Sequence, residues 1–228
     1  VRTIQAVDSE NIYLKLNDHA AALTHYQIIL NLTNQHTIAS YMIAALTQKS
    51  IPGCAPLDYI KNLFDNYAFQ FDDHVKKSLF YNVPELLRQQ LNPFLTPKKY
   101  TLLDLGCGTG LSGQCVSDLS KRLVGIDISP NMLQQAKEKG CYDLLIEKDI
   151  LNGLAGLKEH FELILCIDTL VYCGDLEKFF IETVSRLTTN GLLALSVELA
   201  AKTTASYRLQ TNGRYQHAEI YIKKLGKK

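Results

Sequence analysis

The fold is decided by the stretch Leu102-Leu103-Asp104-Leu105-Gly106-Cys107-Gly108-Thr109-Gly110. Its apolar run ends at three glycines in alternate positions, which predicts a buried strand that runs into a tight turn. Glycine has no Cβ, so the backbone can turn sharply there and a ligand can lie directly against it. Residues 111–117 are predicted to form a helix whose first backbone amides face that ligand.

A second apolar run, Leu123-Val124-Gly125-Ile126-Asp127, ends in an acid about twenty residues further on, where a ribose-binding carboxylate belongs. A dinucleotide fingerprint would require G-x-G-x-x-G, and Leu111 occupies the place of its last glycine. NAD is therefore the weaker hypothesis. The structural alternative is an ordinary strand, turn and helix with a surface aspartate at position 127.

Residues 104–110 resemble motif I of the class I S-adenosylmethionine-dependent methyltransferases, which is close to D-x-G-x-G-x-G. This resemblance implies an α/β fold with a doubly wound, mostly parallel, Rossmann-like sheet. It implies S-adenosyl-L-methionine as cofactor and S-adenosyl-L-homocysteine as product, with Asp127 on both ribose hydroxyls. It also implies in-line displacement at the sulfonium methyl group, for which the protein has mainly to position the nucleophile.

The alternation of strands and helices continues after Asp127. Apolar strands separated by helices predict a parallel sheet covered on both faces, with ligands at the carboxyl ends of its strands. The expected strands are 144–147, 161–167 and 192–197, and the expected helices are 130–139 and 176–187.

Several further contacts are implied by the resemblance. Met132 would lie against adenine and Asp149 would accept the adenine amino proton, while a core methionine and a solvated turn aspartate are the alternatives. Residues 64–72 resemble the F-D-x-Y-A segment in which a tyrosine, here Tyr67, reaches over the cofactor; packing of Tyr67 and Phe71 on the sheet is the alternative. The implied cofactor-binding residues are Tyr67, Phe71, Asp104, Gly106, Cys107, Gly108, Gly110, Asp127, Ile128, Met132, Asp149, Ile150 and Ile167.

The catalytic candidates follow the fourth strand or lie near the C-terminus. Asp168 is interpreted as a general base, a substrate anchor or a helix cap. Tyr172 and His217 are further candidate bases, and Arg214 is the candidate cation for a carboxylate acceptor. Related DNA methyltransferases carry a proline-bearing N/D-P-P-Y/F motif after the fourth strand. This chain has Asp168-Thr169-Leu170-Val171 at that place, which argues against methylation of a base.

The amino-acid composition limits the kinds of partner that this protein is expected to bind. The formal net charge is +1, which gives no electrostatic footprint for nucleic acid or an anionic membrane. No apolar run is long enough to span a bilayer, so a cytoplasmic protein without membrane or nucleic-acid partners is expected. The six cysteines form no C-x-x-C pair and mostly lie in apolar runs, so reduced core thiols without a metal are predicted.

Three domains are predicted: a helical hairpin at 1–52, a helical segment at 56–98 that covers the site, and a methyltransferase core at 99–228 with a C-terminal lid. The hairpin is expected to break near Asn31 to Asn34, and the range 20–46 resembles one tetratricopeptide unit. A single unit cannot bury its own faces, so we expect it to dock, in particular on a protein partner. Short helices are predicted around Tyr59 to Phe64 and Phe71 to Leu79, and another after Pro84.

The C-terminal residues fit the resemblance least. A class I sheet has two more strands, yet 198–228 offers only one weak strand pattern, Glu219 to Ile222. Either the chain is truncated or its sheet is completed in another way; the first residue, Val1, likewise indicates a processed or trimmed start.

The chain resembles the predicted tetratricopeptide-containing methyltransferases, which are similar to the biotin-pathway enzyme that methylates a malonyl carboxyl group. A small-molecule acceptor, in particular a carboxylate, is therefore expected. Two alternatives stay open. One is protein or RNA methylation with the hairpin as a docking arm, and the other is a non-catalytic protein that binds S-adenosylmethionine.

Overall fold

The computed structural model describes residues 18–33, 36–77, 80–200 and 206–227. Four parts of the sequence-based predictions lie outside these residues: the start of the predicted hairpin domain at 1–17, Asn34 in its break, Leu79 in the following helix, and residues 201–205 and 228 of the predicted core with its C-terminal lid.

The centre of the fold is a parallel sheet of five strands in the order β3-β2-β1-β4-β5. The strands are β1 Tyr100–Leu105, β2 Ser120–Asp127, β3 Leu144–Glu147, β4 Phe161–Cys166 and β5 Leu187–Leu195. Leu102, Leu123 and Leu163 are fully buried, as expected for strands covered on both faces. The predicted α/β class and Rossmann-like sheet are confirmed.

Helices connect these strands. They are α5 Leu111–Val116, α6 Pro130–Glu138, α7 Ile150–Gly156 and α8 Glu177–Val184, which follow α1 to α4 described below. Ser129 begins α6, because its hydroxyl accepts a hydrogen bond from the amide of Met132. The predicted helix 176–187 is too long: α8 ends at Val184, and Leu187 already pairs with Phe161 in the sheet.

The segment before the sheet contains two helices, α3 Leu57–Lys77 and α4 Val83–Leu91. The prediction of separate short helices around Tyr59 and Phe71 is wrong, because α3 runs without a break for 21 residues. No proline or glycine interrupts 57–77, and its charged residues form pairs at helical spacing such as Lys61 with Asp65. The helix predicted after Pro84 is confirmed as α4.

The predicted N-terminal hairpin is confirmed as two packed helices, α1 His19–Thr33 and α2 Thr37–Thr47. Ala22 and Ile29 of α1 and Ala39 and Ala45 of α2 are buried, and small side chains of this kind allow two helices to approach closely. Its likeness to a tetratricopeptide unit stays a prediction. In the part of the chain that is described, no helix has the length and apolar character needed to cross a membrane.

The C-terminal residues form a second, three-stranded sheet and a final helix. Its strands are β6 Glu198–Leu199, β7 Tyr207–Leu209 and β8 Tyr215–His217, in the order β6-β8-β7. The strand predicted at Glu219 to Ile222 is wrong, because these residues lie in helix α9 Glu219–Leu225. The alternating apolar residues were misleading: Ile220 is 79% exposed, whereas Leu225 is buried at helical spacing from Tyr221.

Contacts divide the chain into two compact units. The hairpin unit consists of Val1–Tyr59, Val171–Asp175 and Glu198–Lys228, and the sheet unit consists of Ile60–Leu170 and Leu176–Val197. This grouping differs from the predicted domain boundaries, which assign residues 99–228 to a single core. Within the hairpin unit, Tyr41 donates its hydroxyl proton to the carbonyl of Gly213, and Tyr215 donates to that of Pro52. The C-terminal segment therefore packs with the hairpin.

Candidate active site

The glycine turn after β1 has a left-handed backbone that glycine adopts readily, as the predicted tight turn requires. Gly106, Gly108 and Gly110 have φ values of 70°, 54° and 89°. A Cβ added to Gly106 would lie 2.2 Å from the hydroxyl oxygen of Thr169, so no side chain fits there. A Cβ added to Gly108 would meet nothing within 4 Å. The turn therefore presents bare backbone to open space at Gly108, as a site for a closely bound ligand requires.

Asp127 ends β2 beside this turn. Its Oδ2 accepts a hydrogen bond of 2.8 Å from the amide of Gly108, and its Oδ1 accepts one of 2.8 Å from the amide of Ser129. Burial raises the pKa of the Asp127 carboxyl, although the backbone hydrogen bonds favour its ionised form. Asp127 is thus held in a fixed orientation, and a carboxylate with two oxygens can still accept further hydrogen bonds.

Asp104 lies beneath the turn, with 1% of its surface exposed. Its Oδ2 accepts a hydrogen bond of 2.7 Å from the Tyr142 hydroxyl, whereas its Oδ1 has no hydrogen-bond partner among the described residues. Burial raises the pKa of the Asp104 carboxyl to about 7. A buried carboxyl with one orphaned oxygen is an acceptor that a cationic or hydrogen-bond-donating group would satisfy.

Helix α3 is fastened to the turn by Asp72. The hydroxyl of Thr109 donates to Asp72 Oδ1 at 2.5 Å, and Lys139 Nζ lies 2.7 Å from Asp72 Oδ2. Lys139 also donates to the backbone carbonyl of Thr109 at 2.6 Å. Sequence analysis missed Asp72, Thr109 and Lys139 as members of the site.

The same helix is tied to the end of β2 by Asp65. Ser129 donates its hydroxyl proton to Asp65 Oδ1 at 2.6 Å, and the Asn131 side chain donates to the Asp65 carbonyl at 3.0 Å. Asp65 and Asp72 are seven residues apart, so they share one face of α3. That spacing, which sequence analysis did not use, is the signal that could have identified both residues.

Tyr67 and Phe71 also lie on α3, where their rings are 5.2 Å apart in an edge-on arrangement. The Tyr67 hydroxyl contacts Nδ1 of His74. Burial raises the pKa of Tyr67. These are contacts within one helix, so the predicted approach of both rings to a cofactor stays a prediction.

Asp168, two residues after β4, has a left-handed backbone with φ of 52°. Its amide donates to the hydroxyl oxygen of Ser196 at 2.7 Å, and that hydroxyl donates to Asp168 Oδ1 at 2.9 Å. Burial first, and then the charge and hydrogen bonding of Asp168, raise the pKa of the Tyr81 hydroxyl. Asp168 and Ser196 therefore form a hydrogen-bonded pair, and Asp168 acts on the pKa of the Tyr81 hydroxyl. We call these three residues the polar cluster, of which only Asp168 was predicted from the sequence.

A cavity of about 270 Å³ adjoins this cluster through Tyr81. Its lining combines a cation, an acid and an amide with apolar surface; it consists of Lys76, Tyr81, Pro84, Glu85, Leu111, Gln114 and Cys115. Lys76 is 3.9 Å from Asp72 and half exposed, so its ammonium group remains accessible to a ligand.

The residues expected around adenine occupy more ordinary positions. Met132 is 1% exposed and packs in the core of the sheet unit. Asp149 caps α7, because Oδ1 accepts from the amide of Asn152 at 3.1 Å and Oδ2 from its side chain at 2.6 Å. Ile128 follows β2 directly, Ile150 begins α7 three residues after the end of β3, and Ile167 follows β4 and is buried. Cys107 is buried within the glycine turn.

Three of the four catalytic candidates belong to the hairpin unit. Arg214 forms an ion pair of 2.7 Å with Glu198. His217 is fully buried, its Nε2 is 2.8 Å from the carbonyl of Cys173, and burial lowers its pKa. The backbone carbonyl of Tyr172 accepts a hydrogen bond from the amide of Ala55. The contacts described for these residues fix the hairpin unit itself, and their catalytic roles stay predictions.

Comparison with known proteins shows a match to one family model and to several individual proteins. Residues 103–195 match the model of a methyltransferase domain. An uncharacterized methyltransferase of Schizosaccharomyces pombe is 26% identical over 156 residues, which cover 59% of this chain and 55% of that protein. The malonyl-[acyl-carrier protein] O-methyltransferase 2 of Coxiella burnetii is 32% identical over 146 residues, covering 59% and 54%.

Bovine 18S rRNA (guanine-N(7))-methyltransferase is 47% identical over 53 residues, which cover 23% of this chain and 19% of the relative. The chain thus spans about half, or less, of the length of the curated relatives it matches.

Two solved structures share the fold. Magnesium protoporphyrin IX methyltransferase from Synechocystis PCC 6803, with bound S-adenosylhomocysteine, aligns with a TM-score of 0.57 at 16% identity, covering 75% of this chain and 87% of that one. N-methyltransferase NodS from Bradyrhizobium japonicum WM9 aligns with a TM-score of 0.58 at 22% identity, covering 73% and 84%. Residues 103–195 therefore match a methyltransferase domain model, and the chain shares its fold with these two methyltransferase structures.

Proposed function

We propose that this chain binds S-adenosyl-L-methionine at the glycine turn and transfers its methyl group to a small-molecule acceptor. The observation that carries the proposal is the pairing of the Gly108 amide with the Asp127 carboxylate at 2.8 Å. This hydrogen bond brings bare, positive-φ backbone next to a fixed acid, which is what an adenosine-containing ligand needs. The matched domain at 103–195 supports the same conclusion.

Different residues of the sheet unit can bind different parts of the cofactor. Asp127 would accept both ribose hydroxyls, and the open backbone at Gly108 would let the ligand lie against the turn. Asp104 would provide a negative charge beneath the turn for the ammonium group of the methionine portion. Asp149 could accept the adenine amino proton only if it shared the oxygens that now cap α7. The bound sulfonium supplies an already activated methyl group, so no covalent nucleophile is required.

The acceptor is proposed to approach the cluster of Tyr81, Asp168 and Ser196. Asp168 is oriented by Ser196 from both its amide and its carboxylate, which suits a group that holds an acceptor or takes its proton. Its left-handed backbone is a strained conformation of the kind that collects at functional sites. Tyr81 lines the adjoining cavity, and Asp168 contributes to the raised pKa of its hydroxyl.

A carboxylate acceptor is the preferred class, in line with the malonyl-carrier relative. It requires a cation. Arg214 was predicted for this role, but it would first have to exchange its partner Glu198. Lys76 lines the cavity beside Tyr81 and has only a loose partner in Asp72, so we propose Lys76 as the first candidate.

An RNA acceptor is the second candidate, favoured by the 53-residue match to a rRNA (guanine-N(7))-methyltransferase. A third possibility, a protein that binds the cofactor without turnover, is favoured by the engagement of Arg214 and His217 in internal contacts.

Calorimetric titration with S-adenosylmethionine, S-adenosylhomocysteine and NAD tests the cofactor. Gly108→Ala should weaken binding of the first two by at least tenfold. Gly140→Ala is a matched control, because Gly140 also has a positive φ of 66° and open space around an added Cβ, but lies outside the turn. Equal affinity in the two variants, or tight binding of NAD alone, would reject the proposal.

A transfer assay with labelled methyl groups tests the acceptor. Small carboxylic acids, alcohols, amines and an rRNA fragment are offered separately to the full chain. Label on a carboxylate supports the preferred class, label on RNA supports the second candidate, and binding without any transfer supports the third.

The hairpin is additionally proposed as a contact surface for a protein partner. Leu32 is 66% exposed and Ile28 is 45% exposed on α1, which leaves an apolar strip on the outside of the hairpin. Chemical crosslinking should join a defined partner to this strip in the wild-type protein. The same crosslink should be lost in the Ile28→Ser/Leu32→Ser variant and kept in Ile220→Ser, a control that changes a still more exposed apolar residue on α9.

A further inference from the structure

Two cysteines face each other in the hairpin unit. Cys54 and Cys173 form an isolated antiparallel bridge between the loop that precedes α3 and the loop that follows β4. Their sulfur atoms are 2.9 Å apart. Both residues belong to the same compact unit, so this proximity is internal to it.

The backbone around the pair has a defined register. Ala55 donates its amide proton to the carbonyl of Tyr172 at 2.8 Å, and Gly174 donates to the carbonyl of Gly53 at 2.8 Å. These two hydrogen bonds flank Cys54 and Cys173 without involving their own amides, which makes them a non-hydrogen-bonded antiparallel pair. Opposed Cα atoms in such a pair are about 4.5 Å apart, with the side chains on the same face. Disulfides span Cα separations of about 4.4 to 6.8 Å, so a bond can form without shifting the register.

Access differs between the two thiols. Cys54 is exposed and Cys173 is half-buried. By contrast, Cys107 and Cys166 are fully enclosed in the sheet unit, as the sequence-based prediction of core thiols expects. That prediction is wrong for Cys54, because the loop 51–56 lies at the surface of its unit.

We propose that Cys54 and Cys173 are a redox modification site that forms a reversible intramolecular disulfide with a disulfide oxidant such as oxidised glutathione. The Cys54 thiolate attacks one sulfur of the oxidant, forms a mixed disulfide and releases one glutathione thiolate. The Cys173 thiolate then attacks the Cys54 sulfur, forms the internal bond and releases the second glutathione. The two cysteines lose two electrons and two protons, and the oxidant is reduced to two thiols.

The bond would join the loop before α3 to the residues that follow Asp168 along the chain. The two cysteines are 119 positions apart, so the closed loop would include β1 to β4. A cross-link that closes a long loop restricts the unfolded chain strongly. The oxidised protein should therefore melt several degrees above the reduced one.

The experiment equilibrates the full chain in mixtures of reduced and oxidised glutathione. Titration of accessible thiols should show the loss of two groups. Tryptic mapping without reduction should join peptide 50–61 to peptide 159–178, with fragmentation assigning the bond to Cys173 rather than Cys166. Cys173→Ser should instead retain one glutathione on Cys54, because the second thiol is missing. Cys115→Ser, which alters a partly exposed thiol of the sheet unit, should keep the cross-link.

A stable glutathione adduct on Cys54 of the wild-type protein would overturn the proposal, as would a bond between any other two cysteines. The melting comparison of oxidised and reduced wild type gives a second result that does not depend on how well a variant folds. An unchanged melting temperature after complete oxidation would contradict the expected loop closure.

Discussion

The carboxylate of Asp127 accepts the backbone proton of Gly108 at a distance of 2.8 Å, although 19 residues separate them along the chain. This one hydrogen bond joins the two motifs that sequence analysis identified separately. It fixes the acid at the edge of the glycine turn, where a bound nucleoside would meet both groups together.

The first prediction concerns the charge of Asp127. Asp127→Asn should weaken S-adenosylmethionine binding by at least tenfold, because a hydrogen bond to a charged group contributes about 1.5 to 3 kcal/mol. Calorimetry measures the dissociation constant. Asp73→Asn is the control, since Asp73 is an exposed residue of α3 that pairs with the similarly exposed Lys77. An unchanged dissociation constant for Asp127→Asn would place ribose recognition elsewhere.

The second prediction is a pH dependence caused by Asp104. Burial raises the pKa of its carboxyl from 3.8 to about 7 in the folded protein. Between these values the folded state binds the proton more tightly than the unfolded state, so this group stabilises the protein at low pH and the contribution is lost as the pH rises through 7.

Asp104→Asn should remove that dependence. Relative to wild type, the variant should gain roughly 1 kcal/mol or more in free energy of unfolding on going from pH 5 to pH 8. Urea unfolding at both pH values measures it. A constant difference between the two proteins across this range would show that Asp104 does not titrate there.

The third prediction concerns the attachment of α3 to the glycine turn. Asp72→Ala removes the partner of Lys139, whose side chain is only 13% exposed, and also the acceptor of the Thr109 hydroxyl. We expect a loss of roughly 1 to 3 kcal/mol in unfolding free energy, because an ammonium group is left poorly solvated.

The neighbouring pair provides the comparison for Asp72. Asp73 and Lys77 are both largely exposed, so Asp73→Ala should cost less than about 0.5 kcal/mol. Denaturant unfolding measures the free energy of unfolding of both variants. If both lose a similar amount, the Asp72 contacts contribute no more than a surface ion pair.

The fourth prediction separates binding from transfer at Tyr81. Tyr81→Phe keeps the ring that lines the cavity and removes only the hydroxyl beside Asp168. The rate of methyl transfer should fall by roughly tenfold to a hundredfold, in the range of a lost proton-transfer or positioning group. The affinity for S-adenosylmethionine should stay within a few fold. A parallel loss of both quantities would instead assign Tyr81 to cofactor binding.

Sequence alone predicts β1 and β4 well because these two strands are mostly apolar. Leu102 to Leu105 are buried, and every residue of β4 except Glu162 is buried, so composition, glycine position and helix alternation all point to one fold. The glycine turn and Asp127 could also be predicted from the sequence, because each lies at the end of an apolar strand.

The remaining site residues could not be predicted from the sequence, for a physical reason. Tyr81 carries no local pattern that separates it from ordinary loop residues, and Asp72 shows only its seven-residue spacing from Asp65. Their roles arise when the fold brings distant groups together, Thr109 to Asp72 and Asp168 to Tyr81. The helix α9 was mistaken for a strand because Ile220 and Ile222 alternate with Tyr221, although packing of the hairpin unit favours the helical face that contains Leu225.

The hairpin unit is assembled from three separate parts of the chain, which constrains the order in which it can be made. Tyr41 and its acceptor Gly213 are 172 residues apart, and Tyr215 and Pro52 are 163 apart. At roughly 5 to 20 residues per second, the ribosome delivers the second partner about ten to thirty seconds after the first. Until Gly213 and Tyr215 have been translated, Tyr41 and Pro52 lack these hydrogen-bond partners, so the hairpin unit cannot complete its packing earlier.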